Sequence, residues 1–147
     1  MLKNFIKRGS SLGYKISIKW EIEKVIENYI EKDIMRQVKI LEYLFELKKI
    51  DIQEVADLLE ISKVTVKRDI EKILSIDSRI RLIKENSSTI IVDFLSGATR
   101  YELVKKIYEQ SFFLKICAWY LKGERNYLKI SEREHISVSK FFSLKKK

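Results

Sequence analysis

The chain has 147 residues, 46% of them hydrophobic and 35% charged, and its 30 Lys and Arg against 21 Asp and Glu give +9 at neutral pH. That composition suits a folded domain and excludes a hydrophobe-poor disordered segment. One Cys, one His and no Pro exclude an internal disulfide, a His/Cys zinc site and proline-broken helices.

In chain order, Tyr14, Ile16, Ile18 and Trp20 alternate with polar residues and predict a short strand or arm. From Glu21 the period changes: Ile22, Val25, Ile26, Tyr29 and Ile30 predict an amphipathic helix over 21–32. Ile34, Val38, Leu41, Leu44 and Phe45 carry a helical stripe to about Lys48, with no breaker to say whether 21–48 is one helix or two. Asp51 to Glu54 has the form of a capping box, opening a helix that buries Val55, Ala56, Leu58 and Leu59 and ends near Glu60. Ile61-Ser62-Lys63 reads as a tight turn with Ser62 as N-cap. The next helix, about 63–76, buries Val66, Ile70, Ile73 and Leu74 and turns Lys63, Lys67, Arg68 and Glu71 to solvent, with Asp69 as the nearest acid.

Two β-branched runs, 79–84 and 89–94, flank the polar turn 85–88 and predict a hairpin. Thr99 to Glu102 is a second capping box, before a helix with Leu103, Val104, Ile107 and Tyr108 inward. Phe112 to Leu121 is an apolar helix ending at Gly123, a suitable left-handed cap. Ser131 to Glu134 reads as a third box before a short helix, and Ser137 or Ser139 caps a last segment, 140–147.

Helix, turn, helix and hairpin after a leading helix is a winged helix-turn-helix. Small Ala56 permits close helix approach, while Val55, Leu59, Ile61, Val66 and Ile70 form the wedge that sets the crossing. The second helix of such a unit lies in the major groove of DNA with its N-terminal residues at base edges. The expected groove-facing residues are Ser62, Lys63, Val64, Thr65, Lys67 and Arg68, and the expected wing contacts are Lys84, Asn86, Ser87 and Ser88. Charge distribution agrees: residues 122–147 carry eight basic and three acidic side chains, and residues 1–30 carry six and three. Such an excess suits a polyanionic partner. The four glycines stand apart, so no phosphate-cradling loop is formed, and no catalytic set appears at recognisable spacing. An enzyme, a cofactor, a metal site and a small-molecule ligand are not expected. Neither a membrane span nor a secretory signal is visible, and the cysteine usage fits the cytoplasm.

The string Ser62-Lys-Val-Thr-Val-Lys-Arg-Asp-Ile70 resembles the recognition helix of DeoR-type bacterial regulators. More of the chain is similar to the Mga family of Gram-positive virulence and plasmid regulators. Residues 31–41 resemble that family's entry into its first helix-turn-helix, and 99–114 its linker helices. Residues 132–144 look like the start of its second helix-turn-helix, with Ile136, Phe141 and Leu144 as core. The resemblance implies a mainly α fold with a small antiparallel β wing, in which a winged helix-turn-helix is followed by a helical linker and a second, incomplete helix-turn-helix. It divides the chain into an N-terminal arm and helix (1–30), the winged unit (31–96) and the linker with the partial second unit (97–147). It adds Ser139, Lys140, Ser143, Lys145, Lys146 and Lys147 as a possible second DNA contact, and self or a full-length homologue as a possible partner besides double-stranded DNA.

Two residues depart from the pattern. Glu60 stands where such turns often carry Gly, and Glu134 where an apolar residue is expected. The family's proteins are several hundred residues long, so the chain reads as an N-terminal fragment or a truncated product. Two rival readings are a protein-interaction module using the aromatic helix 112–121 and an RNA-binding winged helix. Cys117 is expected as a buried small hydrophobe, His135 as a surface residue, and Phe112, Phe113, Trp119 and Tyr120 as core.

Overall fold

The structure, a computed structural model, describes residues 28–145. The predicted strand at 14–20, most of the helix at 21–32, and Lys146 and Lys147 lie outside the described residues.

Asn28 and Tyr29 are helical, and the helix breaks at Ile30 and Glu31 before α1 begins at Lys32 and runs to Leu47. Two helices therefore stand where the periodicity left the number open. Ile34, Val38, Leu41 and Leu44 form the buried stripe of α1. Lys48 stops it in a left-handed conformation, φ 59°, and turns the chain into a short strand, β1 (Lys49–Asp51), that the sequence reading missed. Three residues are too few to show a period of two, and β1 exists because β3 supplies its partner.

Asp51 ends β1 and caps α2 (Ile52–Leu58), accepting the N–H groups of Gln53 and Glu54. The helix is shorter than expected and lies at a different rotation. Ile52, Val55 and Ala56 are buried, Leu59 is half-buried, and Leu58 points to solvent at 64% exposure. After the turn, α3 (Lys63–Ile76) opens on the Ser62 cap and buries Val66, Ile70 and Ile73 as expected, with Leu74 only half-buried. Asp69, expected on the solvent side, is buried as well.

Strands β2 (Ile80–Glu85) and β3 (Thr89–Phe94) make the predicted hairpin, and β1 adds to it in the order β1-β3-β2, all antiparallel. The β2–β3 register shifts between Leu82 and Lys84, a bulge that leaves Ile83 as the extra residue. Beyond Ile80 every residue of β2 is exposed, so the hairpin projects as a wing. Thr99 closes a complete capping box with Glu102 on α4 (Arg100–Tyr108), which buries Leu103 and Ile107. These elements share one core: Leu41 and Leu44 of α1, Ile52 of α2, Ile70 and Ile73 of α3, Ile90 of β3 and Ile107 of α4 are each nearly inaccessible.

Helix α5 (Phe112–Leu121) starts on Ser111, whose hydroxyl accepts the Leu114 N–H and donates to Glu31. The Glu31 carboxylate also accepts the Phe112 N–H at 2.7 Å, so the residue that precedes α1 satisfies the free amides at the start of α5. Gly123 follows α5 with φ +87°, the left-handed stop its position suggested. The third expected capping box is overturned. Helix α6 (Tyr127–Arg133) begins earlier, on Asn126, whose side chain accepts the Leu128 and Lys129 N–H groups. Ser131 is therefore a buried interior residue of α6, and Asn126 takes the capping role. Ser137 caps α7 (Val138–Lys145) by accepting the Lys140 N–H at 3.1 Å. A second apolar cluster joins Ile116 of α5, Ile130 of α6, Ile136, and Phe141 and Leu144 of α7. Most of α5 stays accessible: Ile116 alone among its residues is buried, while Phe112, Phe113, Trp119, Tyr120 and Cys117 are half-buried rather than core.

Candidate nucleic-acid interface

The turn between α2 and α3 is built on backbone bonds. Leu59 N–H donates to Val55, Glu60 N–H to Asp57 and Ile61 N–H to Ala56. Reaching this bend puts Glu60 at φ 53°, in the left-handed region where glycine is the easy choice. Its departure from the usual glycine is therefore accommodated by backbone strain rather than by a different turn. Ala56, 2% exposed, carries only a methyl into the helix contact, so the chain can come back close on itself.

The start of α3 then points outward. Ser62 Oγ accepts the Thr65 N–H and shares a hydrogen bond with Thr65 Oγ1, so both hydroxyls serve the cap. Lys63, Val64 and Arg68 are exposed, with Val64 at 65%. Lys67 is half-buried and sits 4.0 Å from Glu85 at the end of β2. Of the six residues expected on this surface, three are open, one is shared with the wing, and two are engaged in the cap.

The wing divides in the same way. Asn86 Oδ1 accepts from the backbone of Ser88 and Thr89 and from the Ser88 hydroxyl, which shapes the turn. The Ser88 carbonyl accepts the Ile52 N–H at 2.7 Å and ties the turn to α2. Lys84 and Ser87 are exposed. Sequence reading passed over Arg81, an exposed cation of the same strand, whose place in an alternating run gave no functional signal.

The orientation of α3 is held by charge as well as by the wedge. Arg36 of α1 donates through Nε and Nη2 to the carboxylate of Asp69, which is 1% exposed, and Gln37 Nε2 adds a bond at 3.4 Å. The hydrogen bonds that Arg36 donates to Asp69 raise the pKa of its guanidinium. At the far end of α3, Asp77 accepts from Arg79 and from Lys106 of α4, which holds its carboxyl far below the usual range. Arg79 also donates to the Gly97 carbonyl and to Glu102, joining the wing base to α4.

Helices α6 and α7 repeat the turn residue by residue at a constant offset along the chain. Glu134 N–H donates to Ile130, His135 N–H to Glu132 and Ile136 N–H to Ser131. His135 has φ 53°, the value found at Glu60. Asn126 corresponds to Asp51, Ser137 to Ser62 and Phe141 to Val66, and Ser131 stands at the place of Ala56. Glu134, which takes the place of Leu59, is not packed as an apolar residue. It accepts the Trp119 Nε1–H at 2.7 Å and pairs with Lys115 at 3.5 Å, both on α5. Ser139, Lys140 and Ser143 are exposed on α7, with the Ser143 hydroxyl donating to the Lys140 carbonyl.

Among the described residues no helix is long and apolar enough to cross a membrane, and no cluster of His, Cys, Asp and Glu is arranged to hold a metal ion. Burial raises the pKa of the Cys117 thiol, which makes it a poor nucleophile.

Compared with protein families, residues 36–81 match the DeoR-like helix-turn-helix domain, a DNA-binding class. The match runs from Arg36 to Arg81 and so covers α1 beyond its first turn, then β1, α2, the turn, α3 and the first two residues of β2. No curated protein matches the chain.

Proposed function

We infer that the chain is a sequence-specific double-stranded DNA-binding regulator of transcription that acts in the cytoplasm, with α3 as its recognition helix in the major groove. The observation that carries this reading is the coincidence, inside the matched segment, of a helix-turn-helix with an α3 surface open at Lys63, Val64 and Arg68. The cations Lys63 and Arg68 suit the O6 and N7 acceptors of guanine, each good contact discriminating by about 1–3 kcal/mol. Lys84 and Ser87, with Arg81 beside them, reach the phosphate backbone, and Asn86 and Ser88 act by shaping the wing. Residues 31–96 form this unit, and 97–147 form a helical linker with a second helix-turn-helix, α6 and α7, of the kind seen in Mga-like regulators. The shared turn geometry at Glu60 and His135 supports that second assignment.

The test is fluorescence-anisotropy binding of the purified chain to random duplex DNA at two salt concentrations, followed by selection from a random duplex pool. Steep salt dependence with an enriched motif is expected. Arg68→Ala should relax the motif, whereas Lys84→Ala should weaken all sequences alike and flatten the salt slope by about one. No binding at low salt would overturn the reading. It would favour protein association through α5, where Leu121 is 89% exposed beside half-buried Trp119 and Tyr120.

A further inference from the structure

The two turns share a backbone but carry different side chains on their outer helices. Where α3 has Lys63, Lys67 and Arg68, α7 has Val138, Phe142 and Ser143 at the corresponding places after the cap. Val138 is 38% exposed and Phe142 40%. Phe142 stands outward against the Tyr127 ring, with centroids 5.2 Å apart, and lies edge-on to the buried Phe141 at 5.8 Å. The ring is thus fixed at the surface by its neighbours while one side remains open. Val138 and Phe142 are four residues apart on α7, so their exposed apolar side chains share one face of the helix.

We propose that Phe142, assisted by Val138, reads the C5-methyl groups of thymine, so that α7 selects a thymine-containing stretch while α3 selects guanine. This rests on the DNA-binding reading above. The thymine methyl is the apolar feature of the major-groove edge, and apolar side chains contact it, whereas Lys and Arg address guanine. The surroundings fit: Lys140 lies one turn from the cap beside exposed Ser139 and supplies sequence-independent phosphate contact. The places of Lys63, Lys67 and Arg68 hold no cation here, and the exposed Lys140 takes the place of Thr65 instead.

The decisive experiment takes the duplex enriched by the whole chain and replaces its thymines one at a time by deoxyuridine, which removes only the methyl. Wild-type affinity should fall about fourfold for each contacted methyl, the value of burying one hydrocarbon group. Phe142→Ala, checked for its helical signal by circular dichroism, should bind the thymine duplex weakly and lose sensitivity at the thymines assigned to α7. Phe142→Leu, which keeps an apolar contact, should retain it. Methyl sensitivity through Val64 of α3 would persist in both variants and so separates itself. An enriched motif whose thymines all tolerate deoxyuridine, or an unchanged pattern in Phe142→Ala, overturns this inference and leaves DNA binding intact. A folded chain that enriches no motif overturns both.

Discussion

Arg36 on α1 and Asp69 on the inward face of α3 form a two-pronged ion pair, with Nη2 donating to Oδ1 at 3.2 Å and Nε donating to Oδ2. The carboxylate is 1% exposed and the guanidinium 23%, so in the folded chain the acid is compensated by its partner rather than by water. One charge pair thereby couples the rotation of α3 to the first helix of the fold. Arg68, the residue before Asp69, is left exposed to solvent by that rotation.

Arg36→Ala should therefore destabilise the chain by about 3 kcal/mol, because it leaves a buried charge uncompensated. Replacing both partners, as Arg36→Met with Asp69→Leu, should recover most of that loss. Urea denaturation of the three proteins measures both effects, and a double variant as unstable as Arg36→Ala would refute the charge-burial argument.

Glu85 lies 4.0 Å from Lys67, with side chains 45% and 39% exposed, so solvent reaches both. Such a pair contributes little to stability, about 0–1 kcal/mol. On the proposed DNA-binding reading its larger effect is on the anionic partner, since the carboxylate offsets a cation of α3. Glu85→Gln should raise DNA affinity about threefold at low ionic strength, an advantage that fades as salt screens the charges. Titrations at two salt concentrations, with an unchanged melting temperature as control, decide the point; lower affinity in the variant would contradict it.

Asp77 gives a pH dependence with a definite sign. Hydrogen bonds from the Arg79 side chain, then Lys106, then the Arg79 N–H, depress its pKa in the folded state. A carboxyl with a lowered folded pKa contributes stability above its unfolded value of about 3.9, and that contribution disappears as pH falls toward the folded value. Asp77→Asn should melt a few degrees lower at pH 6 and lose less additional stability between pH 4 and pH 2 than wild type. Thermal melts across that range would refute the assignment if the two acid slopes coincide.

Ser131 Oγ is buried and has no hydrogen-bond partner among the described residues, at the position where the first turn carries Ala56. An unsatisfied buried hydroxyl costs about 1–3 kcal/mol, so Ser131→Ala should stabilise the α6–α7 unit by about 1 kcal/mol. The reciprocal Ala56→Ser should destabilise the first unit by a similar amount. Denaturant midpoints of the two variants should move in opposite directions, and a destabilised Ser131→Ala would show that the hydroxyl has a role its surroundings do not reveal.

Local chemistry along the chain was enough to locate α3, both strands of the hairpin, the Thr99 capping box and the stop at Gly123, because helices and caps depend on neighbours three or four residues away and the strands on β-branched runs beside a polar turn. The open cations at Lys63 and Arg68 were legible for the same reason, as polar positions opposite an apolar stripe. Tertiary structure decided the rest. Strand β1 is too short to have a pattern of its own and forms only because β3 pairs with it. Asp69 reads as a surface acid until Arg36, 33 residues earlier in the chain, gives it a buried partner. Glu134 looks misplaced in an apolar seat until Trp119 and Lys115 supply a donor and a charge. Leu58 falls out of the core because only contact with neighbouring elements sets how far a seven-residue helix rotates. Periodicity specifies which residues share a face, but a buried polar group or a three-residue strand is stabilised by a partner distant in sequence, and that pairing exists only in the folded chain.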